Sequence, residues 1–501
     1  MRSRFSAARH RNSRADRRVA AALVVAMVAV VALAGCGSRR DYEEFVAANT
    51  AGGVAVEQTD GGMVAAPGSA GGAAAASGAV PAGTSTARGS AGSATAPAVS
   101  AGKSPQGTAP RPDPAAGAAA SGKSCAISGS TITIGNIATQ SGFLGELFNG
   151  LPEALQVWVK AANACGGLGG HPVRLISADD GGDPAVALTL ARRLVEKEGA
   201  IAFVGLANPL SVQGVASYLK DEGIPAIGGE SSSTVYYTNP VFFPIGPHAA
   251  VIGGATADVA IKRGAKKLAV YYCIEVPNSC GPPGAAKDLA VGSPAIKRIG
   301  GEVVISQPAS VAAPSYTSQC IAAKRAGVDG IIVILDGPSI GRFAGNCEAQ
   351  DYHPKFIGIS LGVSRTLPEY PQLNKDNFFA PSIVFPWMDR SLPATRAYSD
   401  AAIRYFGRPI VGPSPAMAWA SGVLAQEATK GGLPANPTPA DMLKAMYTVK
   451  NTNLGGLTSP LTFTTQLPRV MTSCYFVLGL SNKQYLAPEG AKCVPVDIRY
   501  P

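Results

Sequence analysis

The chain has 501 residues, with 43 Lys and Arg against 33 Asp and Glu, giving a formal charge of +10. Seven arginines and one aspartate in residues 1–35 account for +6 of this, so +4 remains on the rest. A residue of charge that small, with no block of like charges, argues against nucleic acid as a partner.

The arginines (Arg2, Arg4, Arg9, Arg11, Arg14, Arg17, Arg18) precede an uncharged apolar run over residues 19–33. The run is shorter than the roughly 20 residues a membrane-spanning helix needs. A basic segment, an apolar segment and small residues form a secretory signal. The run ends in Leu33-Ala34-Gly35-Cys36, which matches the lipobox of bacterial lipoproteins. That resemblance implies cleavage before Cys36, lipid on its thiol, and anchoring on the outer face of the cell membrane. Residues 1–35 are therefore expected to be a signal peptide.

Nine cysteines occur, and setting Cys36 aside leaves eight. An even number in an oxidising compartment reads as four disulfides, for which 105 pairings exist. Pairing of sequence neighbours is favoured: Cys125–Cys165, Cys273–Cys280, Cys320–Cys347 and Cys474–Cys493. No CxxC pair occurs and the four histidines do not cluster with the cysteines, so no metal or other cofactor is expected.

Residues 36–123 are dominated by Ala, Gly, Ser, Thr and Pro. Such a segment buries too little apolar surface to offset its ordering entropy and is expected to be a disordered tether. As a flexible coil it would span on the order of 50 Å. An O-glycosylated stalk is an alternative reading of the same composition.

The globular part, from about residue 124 to the end, is longer than one core usually serves, so two lobes are expected. Strands are predicted over 131–137, 173–178, 201–204, 224–227, 268–272, 302–306, 330–335 and 355–359. Helices are predicted over 151–162, from Asp183-Pro184 to Gly199, and over 211–221, 249–263, 284–299, 316–326 and 340–350. Asp183 reads as an N-cap, with Pro184 at the first helical position. Helices follow over 395–406, 413–430 and 439–449, with short strands near 461–463 and 475–478. Apolar strands alternating with helices predict an α/β fold of parallel sheets flanked by helices.

From residue 131 to about 500 the chain resembles the type I periplasmic-binding-protein superfamily. The likeness is to leucine/isoleucine/valine-binding-protein-like substrate-binding lipoproteins of ABC transporters. It rests on ITIGNIATQSG (132–142), AANACGGLGGHPVRLISADDGGDPAVALTLARRLV (161–195), AFVGLANPLSVQGVASYLKDEGIPAIGGESSS (202–233) and NPVFFPIGP (239–247). The resemblance implies two Rossmann-like lobes joined by a three-crossover hinge, with a ligand cleft between them. It places residues 124–247 and 380–455 in lobe 1, and 248–379 and 456–501 in lobe 2. It also implies a monomer that hands a small molecule to an ABC permease.

In doubly wound sheets, ligands sit beyond the carboxyl ends of the strands. The candidate ligand residues from lobe 1 are Ser141, Phe143, Asn208, Ser211, Glu230, Ser231 and Ser232. From lobe 2 they are Tyr272, Glu275, Asp336 and Ser360, with Trp387 by position. Phe143 reads equally as local packing, and Trp158, on the apolar stripe of its helix, reads as core. The chain departs from the family in having Asn208-Pro209-Leu210 where serines are usual, and Cys280 where an aromatic is usual. The set that holds an amino acid is thus incomplete.

The expected function is lipid-anchored capture of a small polar molecule (an amino acid, amide or related compound), without catalysis. A ligand-sensing receptor is an alternative. An exported α/β hydrolase is favoured only by Gly229-Glu230-Ser231-Ser232-Ser233, which lacks the last glycine of a nucleophile elbow.

Overall fold

Ile132–Ala138 (β1) is buried along its whole length, as a strand covered on both faces must be. The computed structural model describes residues 125–142 and 144–498. The expected signal peptide, Cys36, the expected tether over 36–123 and Phe143 lie outside the described residues. β1 pairs in parallel with Val173–Asp179 (β2) and Ala200–Val204 (β3). Ala226–Ile227 (β4) and Phe242–Phe243 (β5) complete the first sheet in the order β2-β1-β3-β4-β5. The connecting helices are α1 (Leu151–Asn163), α2 (Pro184–Arg192) and α3 (Val212–Asp221). The Asp183 carboxylate caps α2 by accepting from the Ala185 and Val186 amides, ahead of Pro184.

The second sheet holds Lys267–Cys273 (β6), Glu302–Ala309 (β7), Gly330–Ile334 (β8), Lys355–Ile357 (β9) and Phe378–Ser382 (β10), all parallel. Cys474–Ser481 (β11) adds antiparallel to β10 and itself pairs with Gln484–Leu486 (β12) and Val494–Pro495 (β13). The order is β12-β11-β10-β9-β8-β6-β7. Ala249–Lys262 (α4), Thr317–Arg325 (α5) and Gly337–Glu348 (α6) flank it. α4 begins at His248, whose Nδ1 accepts from the Ala250 amide at 3.1 Å. Burial holds that ring neutral, its pKa pushed down to about 4.

The chain then returns to the first sheet as α7 (Pro393–Phe406), α8 (Pro413–Ala428) and α9 (Pro439–Met446). α7 and α8 pack on α1, and α8 and α9 reach β3. Trp158 is core, as its place on the helical stripe implied, and its Nε1 donates to Gln426 Oε1 at 3.1 Å. Gly422 lies under the indole: a Cβ there would stand 2.2 Å from the ring. Gly422→Ala is therefore expected to force α1 and α8 apart and cost about 2 kcal/mol. Urea melts measure this, and an unchanged midpoint would contradict the packing described.

Segments 244–248, 383–392 and 464–473 run between the lobes. In the third, the buried Arg469 guanidinium donates to Phe242 O at 2.7 Å, Thr464 O at 2.8 Å and Pro240 O at 2.6 Å. It also lies 4.4 Å from the centre of the Phe243 ring.

Four disulfides join Cys125–Cys165, Cys273–Cys280, Cys320–Cys347 and Cys474–Cys493, the neighbour pairing favoured above.

β10 carries the second sheet to Ser382, while Phe463 packs edge-on to Phe243 of the first sheet and Arg469 binds its loops. Two expectations need correction. The helix expected over 284–299 shrinks to Pro294–Arg298, because Gly292 takes a left-handed backbone (φ +74°) just before Pro294. The strand expected near 461–463 is a single bridge between Thr452 and Leu461. The parallel sheets flanked by helices are as expected, and the terminal strand β11 joins the second of them antiparallel.

Candidate functional site

Between the lobes lies a cleft with about 900 Å³ not filled by protein atoms, part of it continuous with solvent. Its walls are the loops beyond the carboxyl ends of both sheets, where this topology leaves room for a ligand. From lobe 1 come Leu144, Leu147 and Phe148 after β1, Pro209 after β3, and Glu230 and Ser232 after β4. Pro247 and Ile383 enter from two crossovers. Lobe 2 supplies Ala249 and Ile252 of α4, the 273–280 loop after β6, Val311 after β7, Ile334, Leu335 and Asp336 at the end of β8, and Ile359 to Gly362 after β9.

The β4 loop is pinned from both sides. Gly229 takes φ +97°, and a Cβ there would sit 2.1 Å from Leu206 O. Its amide donates to Ser421 Oγ of α8 at 2.9 Å, and the next amide, of Glu230, donates to Leu206 O at 2.7 Å. This delivers the Glu230 side chain, 3% exposed, into the wall. The Ser232 amide and hydroxyl donate to its two carboxylate oxygens at 3.0 and 2.7 Å. Burial outweighs those bonds and pushes its pKa up to about 6. The Ser232 hydroxyl also stands 3.2 Å from Ser279 Oγ of the other lobe, bridging the cleft.

Glu275 and Asp336 are fixed differently. Glu275 accepts from Ser310 Oγ at 2.7 Å, Val311 N at 3.0 Å and Ile274 N at 3.1 Å. Asp336 caps α6, accepting from the Ser339 amide at 2.9 Å. The Cys273–Cys280 bridge closes the loop that carries Glu275, Val276 and Ser279.

Of the residues singled out from sequence, Glu230, Ser232, Glu275, Asp336 and Ser360 line this cleft. Phe143 is outside the described residues, and the others lie elsewhere. Ser211 donates to Asp180, which also accepts from Thr139 Oγ1 at 2.8 Å, so the surviving serine is turned into the β2 turn. Ser141 is exposed and bonds Asp179. Asn208 is buried behind Pro209, its side-chain amide without a hydrogen-bond partner among the described residues. Ser231 is buried beside Tyr237, and half-buried Tyr272 packs on the core. Trp387 packs edge-on to Tyr485 and lines a smaller recess with Arg365 and Ser414.

The apolar wall was missed. Leu144, Leu147, Phe148, Ile252, Val276 and Leu361 carry the same hydrophobic signal as core residues, and nothing in their spacing marks a cleft.

Two doubly wound lobes, three crossovers and a walled cleft between them define a two-lobed solute-binding protein. The chain belongs to the periplasmic binding protein family, whose model matches residues 131–484. No curated protein is similar enough in sequence to count as a match. Among solved structures, the chain is similar to a fatty acid ABC transporter substrate-binding protein from Thermomonospora curvata. The TM-score is 0.58 at 18% identity, over 75% of this chain and 98% of that one. It is also similar to a possible leucine/isoleucine/valine-binding protein from Rhodopirellula baltica SH 1, with TM-score 0.60 and 14% identity over 74% and 98%. A third is an ABC transporter substrate-binding protein from Aeropyrum pernix, with TM-score 0.61 and 17% identity over 74% and 100%. At these identities the likeness is one of fold. Among the described residues no helix is long and apolar enough to cross a membrane.

Proposed function

We propose that this protein captures a small molecule with a mainly apolar body in the interlobe cleft and presents it to an ABC permease. In this reading Cys36 carries the lipid that holds the chain on the outer face of the membrane. The observation that carries the proposal is the cleft wall: both lobes contribute apolar side chains, with a few polar groups at fixed positions. Closure of the lobes over a bound molecule is the motion this architecture supports.

The test is a melting-temperature screen against aliphatic and aromatic acids, alkylamines, amides, branched-chain amino acids, sugars and short peptides. A ligand at 100 times its Kd adds about 2.7 kcal/mol, a shift of several degrees. The expected hits have an apolar body. Hits confined to sugars or small polar amino acids would overturn that assignment. Loss of membrane association in Cys36→Ser, followed by fractionation, tests the anchor.

A further inference from the structure

We propose that the cleft selects an apolar molecule bearing a positively charged amine and rejects its carboxylate counterpart. This rests on the reading of the cleft as a solute site and names the chemistry of that solute. The first observation is the charge of the wall. Glu230, Glu275 and Asp336 line the cavity, and among the described residues no Lys, Arg or His does. Arg342 is near, but it stands behind the wall: it donates to Val311 O at 2.6 Å and to Ser339 Oγ at 2.9 Å, and does not line the cavity.

The second observation concerns where a carboxylate would go. A helix N-terminus receives an anion through free amides and nearby hydroxyls. At α3, the Ser211 and Val212 amides are already donated to Asn208 O, at 3.0 and 2.8 Å. The Ser211 hydroxyl is spent on Asp180. What faces the cleft there is Pro209, which has no N–H. An anionic head group would enter an apolar cavity lined by three carboxylates and, among the described residues, by no cation to offset its desolvation.

The third observation is Glu230 itself. A carboxylate 3% exposed, with donors only from Ser232 among the described residues, is a costly group to keep in an apolar wall. A ligand ammonium is the partner that offsets that cost. Bonds between a charged donor and a charged acceptor are the strong ones.

The test uses the purified full chain and three probes with one eight-carbon body: n-octylamine, n-octanol and n-octanoate, titrated by calorimetry at neutral pH. Octylamine is expected to bind at least about tenfold tighter than octanoate, the size of one charged hydrogen bond. Glu230→Gln is expected to cut the preference for octylamine over octanol by about tenfold. Asp336→Asn, which keeps an N-cap acceptor, gives a second reading of the same preference should the first variant fold poorly. Octanoate binding as tightly as octylamine overturns the amine assignment and leaves the apolar solute site standing. An octylamine preference unmoved by both variants also overturns it. Failure of all three probes to bind overturns the apolar solute site and the amine assignment together.

Discussion

Arg469→Met is expected to lower the unfolding free energy by about 2 kcal/mol, as measured by urea denaturation. The substitution keeps the volume and the apolar stem but removes every guanidinium donor. Pro240 O still accepts from the Tyr447 hydroxyl at 3.2 Å, whereas Phe242 O and Thr464 O lose the bonds described above. Phe242 O, the buried one, is left without a donor at a cost of about 1–3 kcal/mol, whereas Thr464 is exposed and its carbonyl can turn to water. Relief of the buried charge works in the other direction: burial already draws the Arg469 pKa below its usual value. The lost interactions win, because the buried Phe242 O is orphaned and the attraction to the Phe243 ring is lost as well. Arg469→Lys, with a point charge in place of a planar fork, should fall between the two. Equal stability of wild type and the Met variant would show that the third crossover is not held through this side chain.

The second large effect is dependent on pH. Burial pushes the Glu230 pKa in the folded protein up to about 6, from a usual 4.5. A carboxyl group with a raised folded pKa contributes its full stability below the unfolded value. That contribution is lost as pH rises through the folded value. Glu230 should therefore cost the protein little at pH 4.5 and about 2 kcal/mol from pH 7 upward. Glu230→Gln removes the charge, so the variant is expected to match wild type near pH 4.5 and exceed it by up to that amount near pH 7.5. The neighbouring Tyr236 and Tyr237 are driven further above their usual range by burial and stay neutral throughout, so they do not blur the comparison. Paired urea melts at the two pH values decide it. A stability difference that does not change with pH would mean that Glu230 is not desolvated in the cleft.

Much of this architecture was legible in the residues. Alternating apolar runs and helical stripes located β1, β2, β3, β6 and β8, and Asp183-Pro184 marked the start of α2. β10 was not seen, since FFAPS carries Pro381 in mid-strand and a proline argues against a central strand. The site was legible in outline, because the doubly wound rule puts ligand loops at strand ends. Its chemistry was not. Ser211 and Asp180 are separated by 31 positions, and only the fold shows that the hydroxyl is spent on that carboxylate. Likewise nothing along the chain marks Leu147 and Leu361 as cleft wall, because periodicity records burial, and burial in a cleft and burial in a core look alike.

The ring closed by Cys273 and Cys280 has a consequence for when the protein becomes competent. Three groups of the cavity wall, Glu275, Val276 and Ser279, hang on that ring. A newly made chain in a reducing compartment has both lobes' sheets to fold with, but an open loop in place of this wall. The binding surface is then expected to be completed only after oxidation, so ligand held in the cell interior meets an unfinished site. The bridge thereby ties maturation of the cleft to the side of the membrane where thiols are oxidised.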